Sequence, residues 1–104
     1  MFLNTSLQAK TISLAPNETK LLVNNGPFTL NATCNLHGTH AFHSKVRIVV
    51  IKNKGTINGK NLSSGQGTSV NVKNNSTISV SADSGTQINL INLGKEQLEA
   101  VCAL

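Results

Sequence analysis

In the stretch CNLHGTHAFHSK, residues 34 to 45, a cysteine and three histidines recur every third residue, at Cys34, His37, His40 and His43. Thiolate and imidazole are good ligands for Zn2+ or copper, and a set of four suits tetrahedral coordination. Regular backbone does not gather them. A strand puts His37 and His43 on one face and His40 on the other. On a helix the set drifts around the axis, and Gly38 weakens the helical state. Only an irregular loop would bring His37, His40 and His43 together, and the chain has no second ligand cluster of the kind that short zinc motifs use. The reading adopted is three solvent-facing histidines and no cofactor, with a His-only Zn or Cu site as the alternative.

Other chemistry is sparse. The only side-chain carboxylates are Glu18, Asp83, Glu96 and Glu99, so hydrolysis by paired acids is disfavoured. Serines and threonines abound without the context of a nucleophile elbow. A small hydrolase using a histidine with Asp83 is kept as a second alternative to a noncatalytic protein.

The basic residues are distributed unevenly. Between Glu18 and Asp83 there is no acid, yet Lys20, Lys45, Arg47, Lys52, Lys54, Lys60 and Lys73 lie in that interval, and the formal net charge is +5. Such a block favours anionic partners. Lys45, Arg47, Lys52, Lys54 and Lys60 are the candidate anion-binding residues, with an anionic glycan or lipid headgroup as partner, if the chain folds them onto one exposed face. Nucleic acid fits less well, because stacking platforms need several aromatics and only Phe42 lies near the block.

Those side chains must be positioned by short strands. The chain has 104 residues, 38% of them hydrophobic, which suits one domain with one core. Trp and Tyr are absent, and Phe2, Phe28 and Phe42 are the only aromatics, so the core is expected to be aliphatic and thin. Residues 28 to 36 alternate apolar and polar, which defines a strand with Phe28, Leu30, Ala32, Cys34 and Leu36 on its inner face. Val70 and Val72, then Ile78, Val80 and Ala82, then Ile88 and Leu90 alternate likewise around Lys73–Ser76 and Asp83–Gly85, and predict a three-strand meander of two hairpins. The dense run from Lys45 to Ile51 reads as a strand buried on both faces. Asn58-Gly59 and the other Asn/Gly clusters recur about every ten residues, the punctuation of an all-β protein. No convincing internal repeat is seen.

The end fits either a helical stripe (Leu98, Val101, Cys102) or a strand (Leu98, Ala100, Cys102, Leu104), and the strand is chosen. Set beside the strand of Cys34, it brings Cys34 and Cys102 to bridging distance as a disulfide. The expected fold is a single all-β domain over 1–104, an antiparallel β-sandwich, immunoglobulin-like or jelly-roll-like, with about eight or nine short strands. No apolar run approaches the roughly 18 residues of a transmembrane helix. The disulfide points to a secreted or periplasmic protein whose signal peptide has been removed.

Overall fold

The computed structural model describes residues 10–38, 44–73 and 76–103. Among these residues ten strands run in chain order: β1 (Lys10–Leu14), β2 (Thr19–Val23), β3 (Leu30–Gly38), β4 (Ser44–Lys52), β5 (Lys54–Ile57), β6 (Lys60–Ser63), β7 (Gly67–Val72), β8 (Ser76–Ala82), β9 (Gln87–Asn92) and β10 (Leu98–Ala103). They form two antiparallel sheets, ordered β1-β10-β3-β8-β5-β6 and β2-β9-β4-β7. Apart from β5 and β6, successive strands alternate between the sheets, so β1-β10-β3-β8 faces β2-β9-β4-β7 in jelly-roll order, not immunoglobulin-like order. Among the described residues no helix is long and apolar enough to cross a membrane.

The strand count exceeds the expected eight or nine because Asn58-Gly59 closes a tight hairpin that adds β5 and β6 beside β8. Both turn residues have positive φ, 51° and 81°, the type I′ geometry that suits the right-handed twist of paired strands.

The core is aliphatic, as its composition requires. Val46, Ile48 and Val50 of β4 lie between the sheets with Leu14, Leu36, Ile57, Leu98 and Ala100, all at most 2% exposed. Burying each larger side chain contributes about 1.5–3 kcal/mol. The shortest principal extent of the molecule is 22 Å, little more than two sheets about 10 Å apart with their outer side chains.

Three local expectations are corrected. The strand read from Phe28 begins at Leu30, and Phe28 is 80% exposed, because the buried Asn24 side chain donates to the Phe28 carbonyl and curls the connection around itself. The meander is absent: β7 pairs with β4, β8 with β3 and β5, and β9 with β2 and β4. β8 therefore lies in the other sheet from both β7 and β9, and Asn74 and Asn75 of the first expected turn lie outside the described residues. Alternation defines which face of a strand is apolar but not which neighbour it pairs with. The strand at Lys45–Ile51 is covered on one face only, since Val49 is half-buried and Ile51 is exposed on the other.

Two asparagines, each 6% exposed or less, tie the sheets together at opposite ends. Asn24, just after β2, donates from Nδ2 to the carbonyls of Phe28, Ala82 and Asp83, and its Oδ1 accepts from Gly26 N–H. Asn92, at the end of β9, donates to the carbonyls of Leu14 and Glu96 and accepts from Gly94 N–H.

The corner from β1 to β2 is a type II turn with Pro16 and then Asn17 at φ 65°, closed by Glu18 N–H donating to Ala15 O at 2.9 Å. The Glu18 carboxylate accepts from Ala15 N–H at 2.7 Å and lies 3.2 Å from Lys20 Nζ. The Ala15 bond, and then Lys20, hold its pKa below the ordinary value of 4.5. A depressed carboxylate pKa contributes stability that is present above the unfolded pKa and lost as pH falls through the folded one. Thermal melts should therefore show a steeper decline below about pH 4.5 for the wild type than for Glu18→Gln, with parallel curves above about pH 6. The difference is small because the carboxylate is exposed, and identical acid limbs would remove Glu18 from the account.

Candidate functional site

Cys34 and Cys102 are disulfide-bonded, with Cα atoms 4.0 Å apart. They face each other directly across the β3–β10 pair, and both point inward. The final strand thus forms where the alternation of Leu98, Ala100 and Cys102 placed it. Cys34 is not a metal ligand while this bond is intact.

β3 continues through Gly38, so His37 stands on the outer face of the six-stranded sheet, opposite Glu99, with Nε2 3.5 Å from Glu99 Oε1. His40 and His43 lie outside the described residues. Among the described residues no three His, Cys, Asp or Glu side chains group in a way that could hold a metal. Asp83 follows Ala82, which pairs with Leu30 at the start of β3, whereas His37 is seven residues further along. At about 3.3 Å per residue the two are more than about 20 Å apart, so His37 and Asp83 form no acid–base pair.

The five candidate cations are divided by the crossing between sheets. A bulge between Val50 and Lys52 bends the end of β4. Asn53, at φ 64° and donating to Ser84 O, then carries the chain into β5 in the other sheet. Lys45 and Arg47 remain on the outer face of the four-stranded sheet, exposed between the buried Ser44, Val46 and Ile48. Lys52, past the bulge at the end of β4, is exposed and still pairs with Gln87 in the four-stranded sheet, whereas Lys54 belongs to the six-stranded sheet and Lys60 opens its edge strand β6 opposite Ile57. Asn53-Lys54-Gly55 does not fold Lys60 back beside Lys45 and Arg47, because this turn changes sheets instead of reversing within one.

Around Lys45 and Arg47 the outer face has a mixed character. Lys45 pairs across to Asn71, and Arg47 to Ser69 on one side and Ile91 on the other. Further along come Asn89, opposite both Leu21 and Val49, and Gln87, opposite Val23. Leu21 is 55% exposed. Gly67 sits beside them: a Cβ there would lie 2.9 Å from the Ile48 carbonyl oxygen, 3.0 Å from Val49 Cγ2 and 3.3 Å from an Arg47 guanidinium nitrogen, so the missing side chain lets β7 lie this close to β4 and also leaves room for the arginine along the face. Lys73, two residues beyond Asn71 and exposed, extends the cationic end of the face. None of the described residues on this face is a carboxylate. The opposite outer face, on the six-stranded sheet, is mostly hydroxyl and amide, with Thr33, Asn35, Thr77, Ser79 and Thr56 exposed or half-buried.

Reading the sequence by charge alone missed Lys73, Asn89, Gln87 and Gly67 as members of one surface. The shared parity of Asn71 with Lys73, and of Gln87 with Asn89, was the local signal available, and these segments meet only through pairing of strands remote in sequence.

No protein-family model matches the chain, and no curated protein matches it. Among solved structures it is similar to a carbohydrate-binding module, CBM36, in complex with calcium and xylotriose. The TM-score is 0.36 and the identity 16%, over 90% of this chain and 84% of that one.

Proposed function

We propose that the protein is a noncatalytic binding module that acts outside the cytoplasm and holds an acidic glycan chain, bearing sulfate or uronate groups, on the outer face of its four-stranded sheet. Lys45 and Arg47 are its anchors. The observation that carries this reading is that these two cations stand side by side on an exposed face without a carboxylate among the described residues. Each contact between exposed charges is weak, about 1 kcal/mol at 4 Å in water, so affinity comes from several contacts along a repeating polyanion. Asn89 and Gln87 supply amides for glycan hydroxyls, and Leu21 and Ile91 supply aliphatic surface for the apolar faces of sugar rings. A disulfide supports an oxidising compartment. The separation of His37 from Asp83 supports a noncatalytic role, and the lack of an aromatic side chain among the described residues of this face makes nucleic acid the poorer partner.

Binding to immobilised heparin tests the reading. Affinity should fall steeply with salt, because exposed charges are screened within about 8 Å at physiological ionic strength. The double variant Lys45→Glu/Arg47→Glu should bind about tenfold more weakly, equivalent to about 1.4 kcal/mol. Lys60→Glu/Lys95→Glu, which makes the same change in net charge elsewhere, should lose less than about twofold. Equal losses would mean that only net charge matters. Binding to anionic lipid vesicles but not to heparin would move the ligand from glycan to headgroup.

A further inference from the structure

Cys34 and Cys102 are separated by 68 residues, and the same offset relates much else. Ser13 and Ser81, Leu22 and Leu90, Asn24 and Asn92, Gly26 and Gly94, Leu30 and Leu98, and Ala32 and Ala100 are identical pairs at that spacing, without a gap. The hydrogen-bonded registers obey it too. Shifted by 68, the Leu14–Leu98 pair of β1 and β10 becomes the observed Ala82–Leu30 pair of β8 and β3. The Leu22–Ile88 pair of β2 and β9 becomes Leu90–Lys20, and Cys34–Cys102 maps onto itself.

The corners repeat bond for bond. Asn17 N–H donates to Asn92 O where Gly85 N–H donates to Asn24 O, and these two turn residues have φ 65° and 82°. Glu18 N–H donates to Ala15 O as Thr86 N–H does to Asp83 O. Asn92 N–H donates to Glu18 O as Asn24 N–H does to Thr86 O. Each buried asparagine accepts from the glycine two residues on and donates to the carbonyl four residues on.

We infer that residues 10–35 and 78–103 are two copies of one three-strand unit related by an internal twofold axis through the disulfide, and that the segment between them is an insert that carries the polyanion contact. The second half of this statement rests on the glycan-binding reading above. The insert breaks the symmetry, since β4 and β7 extend the β2–β9 pair on one flank only. Residues 36–77 hold six of the nine cations and none of the four carboxylates. Lys45, Arg47 and Lys73 lie on its contribution to the exposed face. The repeats supply the scaffold, and the insert gives it a charged side.

Two experiments on the full chain test the two halves separately. For the duplication, the loop after Asn92 receives the residues of its counterpart after Asn24 (L93N, K95P, E96F and Q97T), and a reciprocal chain carries N25L, P27K, F28E and T29Q. Equivalent loops predict that at least one chimera keeps the Cys34–Cys102 bond and melts within about 5 °C of the wild type, a shift of about 1 kcal/mol or less. Loss of the disulfide, or larger falls in both, would overturn the duplication. For the insert, Lys45→Gln/Arg47→Gln/Lys73→Gln is compared on heparin with Lys10→Gln/Lys20→Gln/Lys95→Gln, which removes the same charge from the repeats. The first should weaken binding at least fivefold more than the second. Equal weakening would overturn the assignment to the insert, and a wild-type chain that ignores heparin would instead overturn the glycan-binding reading while leaving the chimera result standing.

Discussion

Replacing both Cys34 and Cys102 with alanine should lower the unfolding free energy by about 4 kcal/mol and the melting temperature by about 20 °C. The strands that carry them are already neighbours through the β3–β10 ladder, so the bond acts mainly on the unfolded chain by closing a loop of 68 residues. For a small domain whose whole stability is about 5–15 kcal/mol, that loss is severe. Urea titration of the double variant beside the oxidised wild type measures it. A difference below about 1 kcal/mol would show that the unfolded chain stays compact enough for the cross-link to remove little freedom.

Asn92→Ala should cost about 4 kcal/mol. The side chain is fully buried, and it is the partner of three backbone groups, the carbonyls of Leu14 and Glu96 and the N–H of Gly94. Alanine leaves all three without it, and each buried polar group deprived of a partner costs about 1–3 kcal/mol. Aspartate separates hydrogen bonding from shape: it keeps an acceptor for Gly94 but turns an oxygen toward two carbonyl oxygens, so Asn92→Asp should be no better than alanine. The control is Asn89→Ala on the outer face, expected to change stability by less than about 0.5 kcal/mol. Denaturant unfolding of the three variants decides it, and an aspartate variant as stable as the wild type would mean that the two donated bonds contribute nothing.

Part of this architecture could be read residue by residue. The alternation from Leu30 to Leu36 placed Cys34 inward, and that of Leu98, Ala100 and Cys102 did the same for its partner, so two inward cysteines were legible, and the bond between them needed in addition that β10 lie beside β3. Asn58-Gly59 announced a reversal by its chemistry, since both residues accept positive φ. The lack of Trp and Tyr limited the core to aliphatic side chains, and the lack of acids between Glu18 and Asp83 marked where the cations would concentrate.

Neighbour choice was not readable in that way. Val72 and Ile78 flank a turn that suits a hairpin, yet each strand gains more by pairing with a partner distant in sequence while its apolar side faces the opposite sheet. The same ambiguity divided the five expected cations, because Asn53 bends the chain into the other sheet at a position where sequence alone permits a simple hairpin. It also hid the duplication, whose matched residues are few enough to resemble chance until the registers and corner hydrogen bonds coincide at one offset. Side-chain parity and turn stereochemistry are local, set by the period of two along a strand and by steric limits on φ. Strand pairing, the meeting of Arg47 with Gly67 and the burial of Asn92 each depend on segments remote in sequence, and only the packing of two complete sheets sets them.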